Sequence, residues 1–254
     1  MTRRGWDAGS YDRIGGPMTE MAVAVLDRLE LRGDETVLDA GCGTGRVTEL
    51  LVERLPRGRV IAVDADEGML ALARERLDGR AEVRRADLLE LALDEPVDAI
   101  LSTATFHWVA DHDRLFERLY AALRPGGRLV AQCGGEGNIA ELRAVGDLLA
   151  TAPAFAPAFE GWRPPWHYAG HDETARRLHA AGFTDVRTWL RPWPVVPEDP
   201  VEYLSTIVLG AQVERLGPEL GERYVREVVE RVEQPVAVGY VRLEIDARRP
   251  DAAA

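Results

Sequence analysis

The chain has 254 residues and a formal net charge of −12, from 31 Lys-or-Arg positions, all of them Arg, against 43 acids. Hydrophobic residues make up 46% and charged residues 29%, which excludes a disordered or fibrous chain and suits one soluble globular domain. The acidic balance argues against nucleic acid as the main partner, and Cys42 and Cys133 alone supply neither a disulfide framework nor the paired spacing of a zinc site.

At the N-terminus, Arg3 and Arg4 are not followed by the apolar run of a secretory signal. No stretch approaches the roughly 20 apolar residues of a membrane span, so a cytoplasmic location without membrane contact is expected. A first helix is predicted near Thr19–Leu29. From Asp34 to Gly135 short β-branched runs alternate with amphipathic stretches, the pattern of a parallel sheet with helices on both faces. The strands are predicted at Thr36–Asp39, Arg59–Asp64, Ala81–Ala86, Val97–Leu101 and Arg128–Cys133, and the helices at Val47–Arg54, Met69–Leu77 and Leu115–Leu123. Pro125-Gly126-Gly127 is expected to end the third of these helices and turn into the fifth strand. Beyond it, Pro153–Tyr168 is too rich in Pro for a helix interior and reads as a covering loop. A helix over Asp172–Gly182, a strand over Thr184–Leu190, a helical insertion over Pro200–Gln234 and a last strand over Val236–Ile245 complete the chain.

The sharpest motif is Val37-Leu-Asp-Ala-Gly-Cys-Gly-Thr-Gly-Arg46: a buried strand, an acid at its end, three alternating glycines, then a helix. Glycine serves where backbone approaches a ligand closely or takes positive φ, so a nucleotide-like ligand is indicated. Asp39 selects among such ligands. A carboxylate at the mouth of the loop would repel a dinucleotide's pyrophosphate, whereas S-adenosylmethionine has no phosphate and offers an ammonium to Asp39 and a carboxylate to the loop amides. The GxGxG spacing also departs from the GxGxxG of dinucleotide folds. Asp64 closes the next strand, where it can accept both ribose hydroxyls or merely cap the helix before Glu67. Asp87, after the third strand, could take the adenine amino group, with Leu88 giving its N–H to the ring.

These residues resemble class I S-adenosylmethionine-dependent methyltransferases: VLDAGCGTG, VIAVD and RRADLLEL stand as the first three motifs. The run from Ser102 to Asp111 and then LRPGGRLV is most similar to the subgroup containing trans-aconitate 2-methyltransferase and juvenile hormone acid methyltransferase, which esterify small carboxylic acids. The resemblance implies a Rossmann-like, seven-stranded, mostly parallel α/β sheet with its last strand antiparallel. It implies one domain: an N-terminal lid and helix (1–33), a cofactor-binding core (34–135), acceptor-side cap elements (136–171 and 199–234) and the last strands (172–198 and 235–248). It implies S-adenosylmethionine as cofactor and S-adenosylhomocysteine as product, with Asp39, Gly41 and Gly43 at the methionine part, Asp64 at the ribose, and Asp87 with Leu88 at the adenine. Thr103 would lie near the methionine amine and Tyr11 would close over the cofactor, with Cys42, Gly45, Ala65 and Met69 completing the contacts.

At the reaction centre, a carboxylate acceptor is already ionised near neutral pH, while a phenol or amine needs its proton removed. His107, after the fourth strand, is therefore read as a base, as a donor that orients the acceptor, or as packing. The acids and histidines of the run His107–Asp113 are not read as a metal site, since Asp111 or Asp113 more simply caps the following helix and His112 sits on a solvated turn. Trp108, Trp162, Trp166, Tyr168 and Tyr203 are expected to line an acceptor pocket, and Arg13 or Arg163 could clamp an acceptor carboxylate. The expected activity is O-methylation of a small carboxylic acid. Methylation of a phenol, hydroxyl or carbon of a secondary metabolite stands as the alternative, and a cofactor-binding but inactive chain as the non-enzyme reading. The insertion could serve a monomer or a homodimer.

Overall fold

The computed structural model describes residues 16–252. Helix α1 (Gly16–Asp27) leads into β1 (Thr36–Ala40), α2 (Arg46–Glu53), β2 (Arg59–Asp64), α3 (Glu67–Leu77), β3 (Glu82–Arg85), β4 (Val97–Thr103), α4 (His112–Ala122) and β5 (Leu123–Gly134). After α5 (Ala140–Ala150), the single turn α6 (Ala156–Phe159) and α7 (His171–Ala180) comes β6 (Thr184–Val195). Then follow α8 (Pro200–Tyr203), a π-helical turn at Leu204–Val208, α9 (Gly210–Leu216), α10 (Pro218–Arg231) and β7 (Val238–Arg248).

The strands form one seven-stranded sheet in the order β3-β2-β1-β4-β5-β7-β6. β1 to β5 pair in parallel, and β7 lies antiparallel between β5 and β6. The mostly parallel α/β sheet with a reversed last strand is thus observed. The expected boundaries shift in instructive places. Pro125-Gly126-Gly127 does not end the helix, which stops at Ala122; the three residues already belong to β5, where the register with β4 slips between Val97 and Ala99. The cap of α3 is Asp66, whose side chain accepts from the Met69 N–H, and not Asp64. That leaves Asp64 to the loop.

Alternation along the strands separates two faces. Leu129 and Ala131 of β5 and Leu243 and Ile245 of β7 pack with Leu115, Phe116 and Leu119 of α4 and Leu178 of α7. On the other face Val130 packs with Val25 and Leu26 of α1 and Leu51 of α2. A further apolar cluster joins α5, α8, α9 and α10 through Leu142, Tyr203, Leu216, Tyr224 and Val228; it meets the sheet at Val238 and Tyr240 of β7 and at Trp193 and Val195 of β6, and meets α1 at Met21. We call these helices, with the loop between α6 and α7, the cap.

Helix α1 is fastened by more than its apolar stripe. Arg28, one residue past its end, lies over the Trp189 ring and spans Glu244 and Asp246 of β7 at 2.7 and 2.9 Å. Glu244 is fully buried, so removing a partner strands charge in a low-dielectric setting. Arg191 also reaches Glu244, at 2.9 Å, which limits the loss. Replacing Arg28 with Met is therefore expected to destabilise the protein by about 2–3 kcal/mol, read from the midpoint of urea unfolding; an unchanged midpoint would mean that apolar packing alone holds α1.

Candidate active site

The C-terminal ends of the parallel strands meet along one edge, where open α/β sheets bind their ligands. The glycine loop leaves β1 there. Gly41, Gly43 and Gly45 have φ of 88, 53 and 79°, a region that side chains other than glycine's enter only under strain. A Cβ at Gly41 would also run into the Thr105 side chain, while among the described residues none lies beside Gly43. The glycines thus serve two ends: close packing of loop on loop at Gly41, and a place that no described residue fills at Gly43.

Four of the loop's amides already have partners within the chain. The N–H groups of Gly41 and Cys42 donate to the Val63 carbonyl at 2.8 and 2.9 Å, that of Gly45 to Cys42 at 3.0 Å, and that of Gly43 to Asp64 Oδ2 at 2.9 Å. The expectation that these loop amides take a ligand carboxylate is corrected, because the turn needs them to hold its own shape. Thr105 Oγ1 and Ser102 Oγ, neither of which the sequence singled out, tie β4 to the loop by donating to the carbonyls of Gly41 and Ala40.

Asp39 is 1% exposed, deeper than the loop mouth where the sequence placed it. Its Oδ2 accepts from Thr48 Oγ1 at 2.7 Å, while Oδ1 is buried with no partner. Burial pushes its pKa up to about 7; the Thr48 bond pulls down and the neighbouring Asp64 charge pushes up. Asp64 is raised too, mainly by burial, although the amides of Gly43 and Asp66 counter it. Both carboxylates lack an ion-pair partner among the described residues. This end of the edge can hold a cation.

The remaining expected cofactor contacts line the same edge. Asp87 accepts from the Leu89 N–H at 3.1 Å and opens a short 3-10 turn that buries Leu88. Met69 is buried in α3, Ala65 O receives Arg85 Nε, and Thr103 ends β4 with its carbonyl bonded by Thr105. Cys42 is buried and its thiol pushed well up by that burial, so it is no nucleophile. Tyr11 and Arg13 lie outside the described residues.

Across the edge, the short 3-10 helix Phe106–Trp108 carries His107. Its Nδ1 accepts from the Gly134 N–H at 3.3 Å. Burial holds its pKa well below the usual histidine range, with Arg242 and His112 adding to the effect. A neutral ring whose Nδ1 lone pair is taken carries its proton on Nε2 and presents a donor. The His107 ring lies 4.9 Å from Trp108 and 5.7 Å from Tyr168, and Trp108, Trp162 and Tyr168 each lie 6.0 to 6.2 Å from Trp166. Four of the expected pocket aromatics therefore form one group leading to His107. Tyr203 stands apart in the cap, its hydroxyl 3.0 Å from that of Tyr240, and Arg163 is exposed. His112 is not solvated: it is 3% exposed, with Nε2 2.9 Å from the Phe106 carbonyl, and Asp111 caps α4. Sequence reasoning missed Arg143, stacked over Tyr168 at 5.5 Å, and the buried pair Gln132 and Arg242.

Comparison with known proteins gives this edge a context. Residues 37–127 match a family model described as a methyltransferase domain. The chain is 33% identical to trans-aconitate 2-methyltransferase of Variovorax paradoxus over 248 residues, covering 92% of this chain and 91% of that one. With the enzyme of that name from Paracidovorax citrulli it is 33% identical over 212 residues, covering 80% and 76%. Its fold is similar to Haemonchus contortus phosphoethanolamine N-methyltransferase 2, solved with phosphomonomethylethanolamine and S-adenosylhomocysteine: the TM-score is 0.65 at 19% identity, over 96% of this chain and 57% of that longer one.

Asp39 ionises at an ordinary 3.8 in the unfolded chain but at about 7 when buried, so between those values the folded state binds more protons. Stability of the ligand-free protein from this group is full below about pH 4 and declines as pH rises to about 7. Thermal unfolding followed across that window is expected to show Asp39→Asn losing this decline and exceeding the wild type above it. Parallel curves for the two proteins would show that Asp39 does not titrate there.

Proposed function

The chain belongs to the S-adenosylmethionine-dependent methyltransferases, and on that premise we propose that it methylates a small carboxylic acid on a carboxylate oxygen. The observation that carries the choice of acceptor is the ground around His107: a neutral imidazole, with the Arg242 guanidinium acting on it, Arg143 stacked over the neighbouring Tyr168, and no carboxylate among the groups that shift it. Such a pocket favours an anion. The trans-aconitate 2-methyltransferases to which the chain is similar act, by their name, on a carboxylic acid.

The residues present fit the cofactor. Asp39 keeps one buried oxygen without a partner, no described residue crowds Gly43, and two carboxylates await positive charge. We assign Asp39 and the loop Gly41, Cys42, Gly43 and Gly45 to the methionine part, with Thr103 beside its amine. Asp64, Ala65 and Met69 are assigned to the ribose side, and Asp87 and Leu88 to the adenine. When bound, the cofactor supplies a methyl group on a sulfonium and leaves as S-adenosylhomocysteine.

The protein's own part is positioning and exclusion of water. An acceptor carboxylate arrives ionised, so no residue has to remove a proton. His107 donates from Nε2 and fixes the acceptor's orientation, Gly134 holds the imidazole, and Trp108, Trp166 and Tyr168 wall the site. Asp39 offers its second oxygen to a positive group and regains charge as that group binds.

Methyl-labelled S-adenosylmethionine, offered with trans-aconitate and other small acids, phenols and amines, tests this reading. Base-labile label in the acids is expected, with kcat at saturating cofactor level from about pH 6 to about 9, since the acceptor carboxylate stays ionised, burial keeps His107 neutral, and the bound cofactor holds Asp39 charged. His107→Leu is expected to lower kcat/KM roughly ten- to a hundredfold, and His107→Gln, which keeps a donor, much less. Stable label in phenols alone, with kcat rising with pH, would replace carboxyl methylation.

A further inference from the structure

The short helix that carries His107 is held from three sides. From β5, the Gly134 N–H meets the imidazole itself at 3.3 Å. From the cap loop, the His167 N–H donates to the His107 carbonyl at 2.8 Å. The third hold is a side chain: His112 Nε2 lies 2.9 Å from the Phe106 carbonyl, the peptide that leads directly into His107.

His112 reaches back because of where it stands. Asp111 caps α4 by accepting from the Arg114 N–H at 2.9 Å, so His112 is the first helical residue, and side chains of a helix lean toward its N-terminus, over the turn before them. The buried imidazole packs there against the rings of Phe116, at 5.9 Å, and His167, at 5.1 Å.

A carbonyl can only accept, so Nε2 of His112 carries the proton and Nδ1 holds a lone pair. That Nδ1 is buried with no partner, and a second proton on it would find no acceptor. Burial holds the ring below the usual histidine range; His167 and Arg177 push the same way, against the Phe106 bond and Glu173. Arg177 of α7 is in turn engaged by Glu173 at 2.8 Å and by Asp113 at 3.2 Å, and Glu173 stands 4.0 Å from His167. The ring is thus fixed as a neutral donor. Packing alone does not require this. The Phe106 carbonyl already accepts from the Val109 N–H at 2.9 Å, and an apolar ring would fill the same space without an open buried nitrogen.

We infer that His112 is a positioning residue for methyl transfer: by fixing the Phe106 carbonyl it sets the peptide that enters His107, and with it the direction in which His107 Nε2 meets the acceptor. This rests on the reading of His107 as the donor that orients the acceptor. The leverage is short, since rotating that one peptide swings the imidazole. The Gly134 bond, long for its kind, is a weak restraint by itself.

A double-mutant cycle tests the inference on whichever acceptor of the panel above takes label best. His112→Phe keeps a ring beside Phe116 and removes the donor. It is expected to lower kcat roughly five- to tenfold with the KM for cofactor unchanged, and His112→Gln, whose amide keeps a donor, recovers most of the loss. In the His107→Leu background the same change costs less than about twofold, because the aim it alters is gone. Affinity for S-adenosylhomocysteine and the unfolding midpoint report whether the variants fold; if His112→Phe does not, His112→Asn, too short for the Phe106 carbonyl, takes its place. Nitrogen-15 spectra of the His107 ring with S-adenosylhomocysteine bound need no acceptor. One Nε2–H tautomer is expected in the wild type and in His112→Gln, and ring-nitrogen signals drawn toward each other in His112→Phe. Equal losses in both backgrounds, a folded His112→Phe as active as the wild type, or an unchanged His107 spectrum overturn the inference and leave the reading of His107 standing. Full turnover in His107→Leu overturns both.

Discussion

A carboxylate sealed beneath a glycine loop, with one oxygen bonded and the other open, sets the terms for the whole reacting edge. Asp39 cannot move toward water, because Thr48 of α2 grips it and the loop above is closed by its own amides. It cannot ionise without cost, because Asp64 adds negative charge nearby. The tension is relieved by a positive group arriving from outside the chain. Much of the local architecture makes that possible: positive φ at three glycines, Thr105 packed on Gly41, and Ser102 clasping the end of β1.

The opposite side of the edge mirrors this arrangement with the signs exchanged. There Arg242 is buried without a carboxylate in ion-pair reach among the described residues, and His107 is kept neutral so that it adds no charge of its own. A positively charged donor of the methyl group and a negatively charged acceptor would each find the half of the edge that suits it, and each would be discouraged from the other half. The reversed strand β7 matters here. Because it runs against β5, its beginning, and so Arg242, arrives where β5 ends; a parallel seventh strand would have carried those charges to the far side of the sheet.

The legible part of the sequence was the part governed by local rules. Strands β1 to β5 with their helices follow from hydrophobic period, and the glycine loop from spacing alone. What escaped depends on contacts between distant segments. Alternation in Val238–Arg248 puts charge at Arg242, Glu244 and Asp246, which reads as a solvated strand face; α1 and Arg28, more than 200 residues earlier in the chain, bury it. His112 looked solvated for the same reason, since its cover is the distant His167, 5.1 Å away ring to ring. The loop amides were misjudged because their partner is the Val63 carbonyl on the next strand. The aromatic segment before Tyr168 was legible as a group, while the place of Tyr203, bonded to Tyr240 of the last strand, was not.

The cap has its own apolar interior and meets the sheet along the ends of β6 and β7, at Trp193, Val195, Val238 and Tyr240. Mutational drift within it is therefore partly insulated from the strands that carry the glycine loop. A lineage built on this plan can explore new acceptors by reshaping helices α5 to α10 while the methyl-donating half stays intact, much as a tool handle accepts different heads. The joint between the two runs along the ends of β6 and β7, and variation there would be felt on both sides at once.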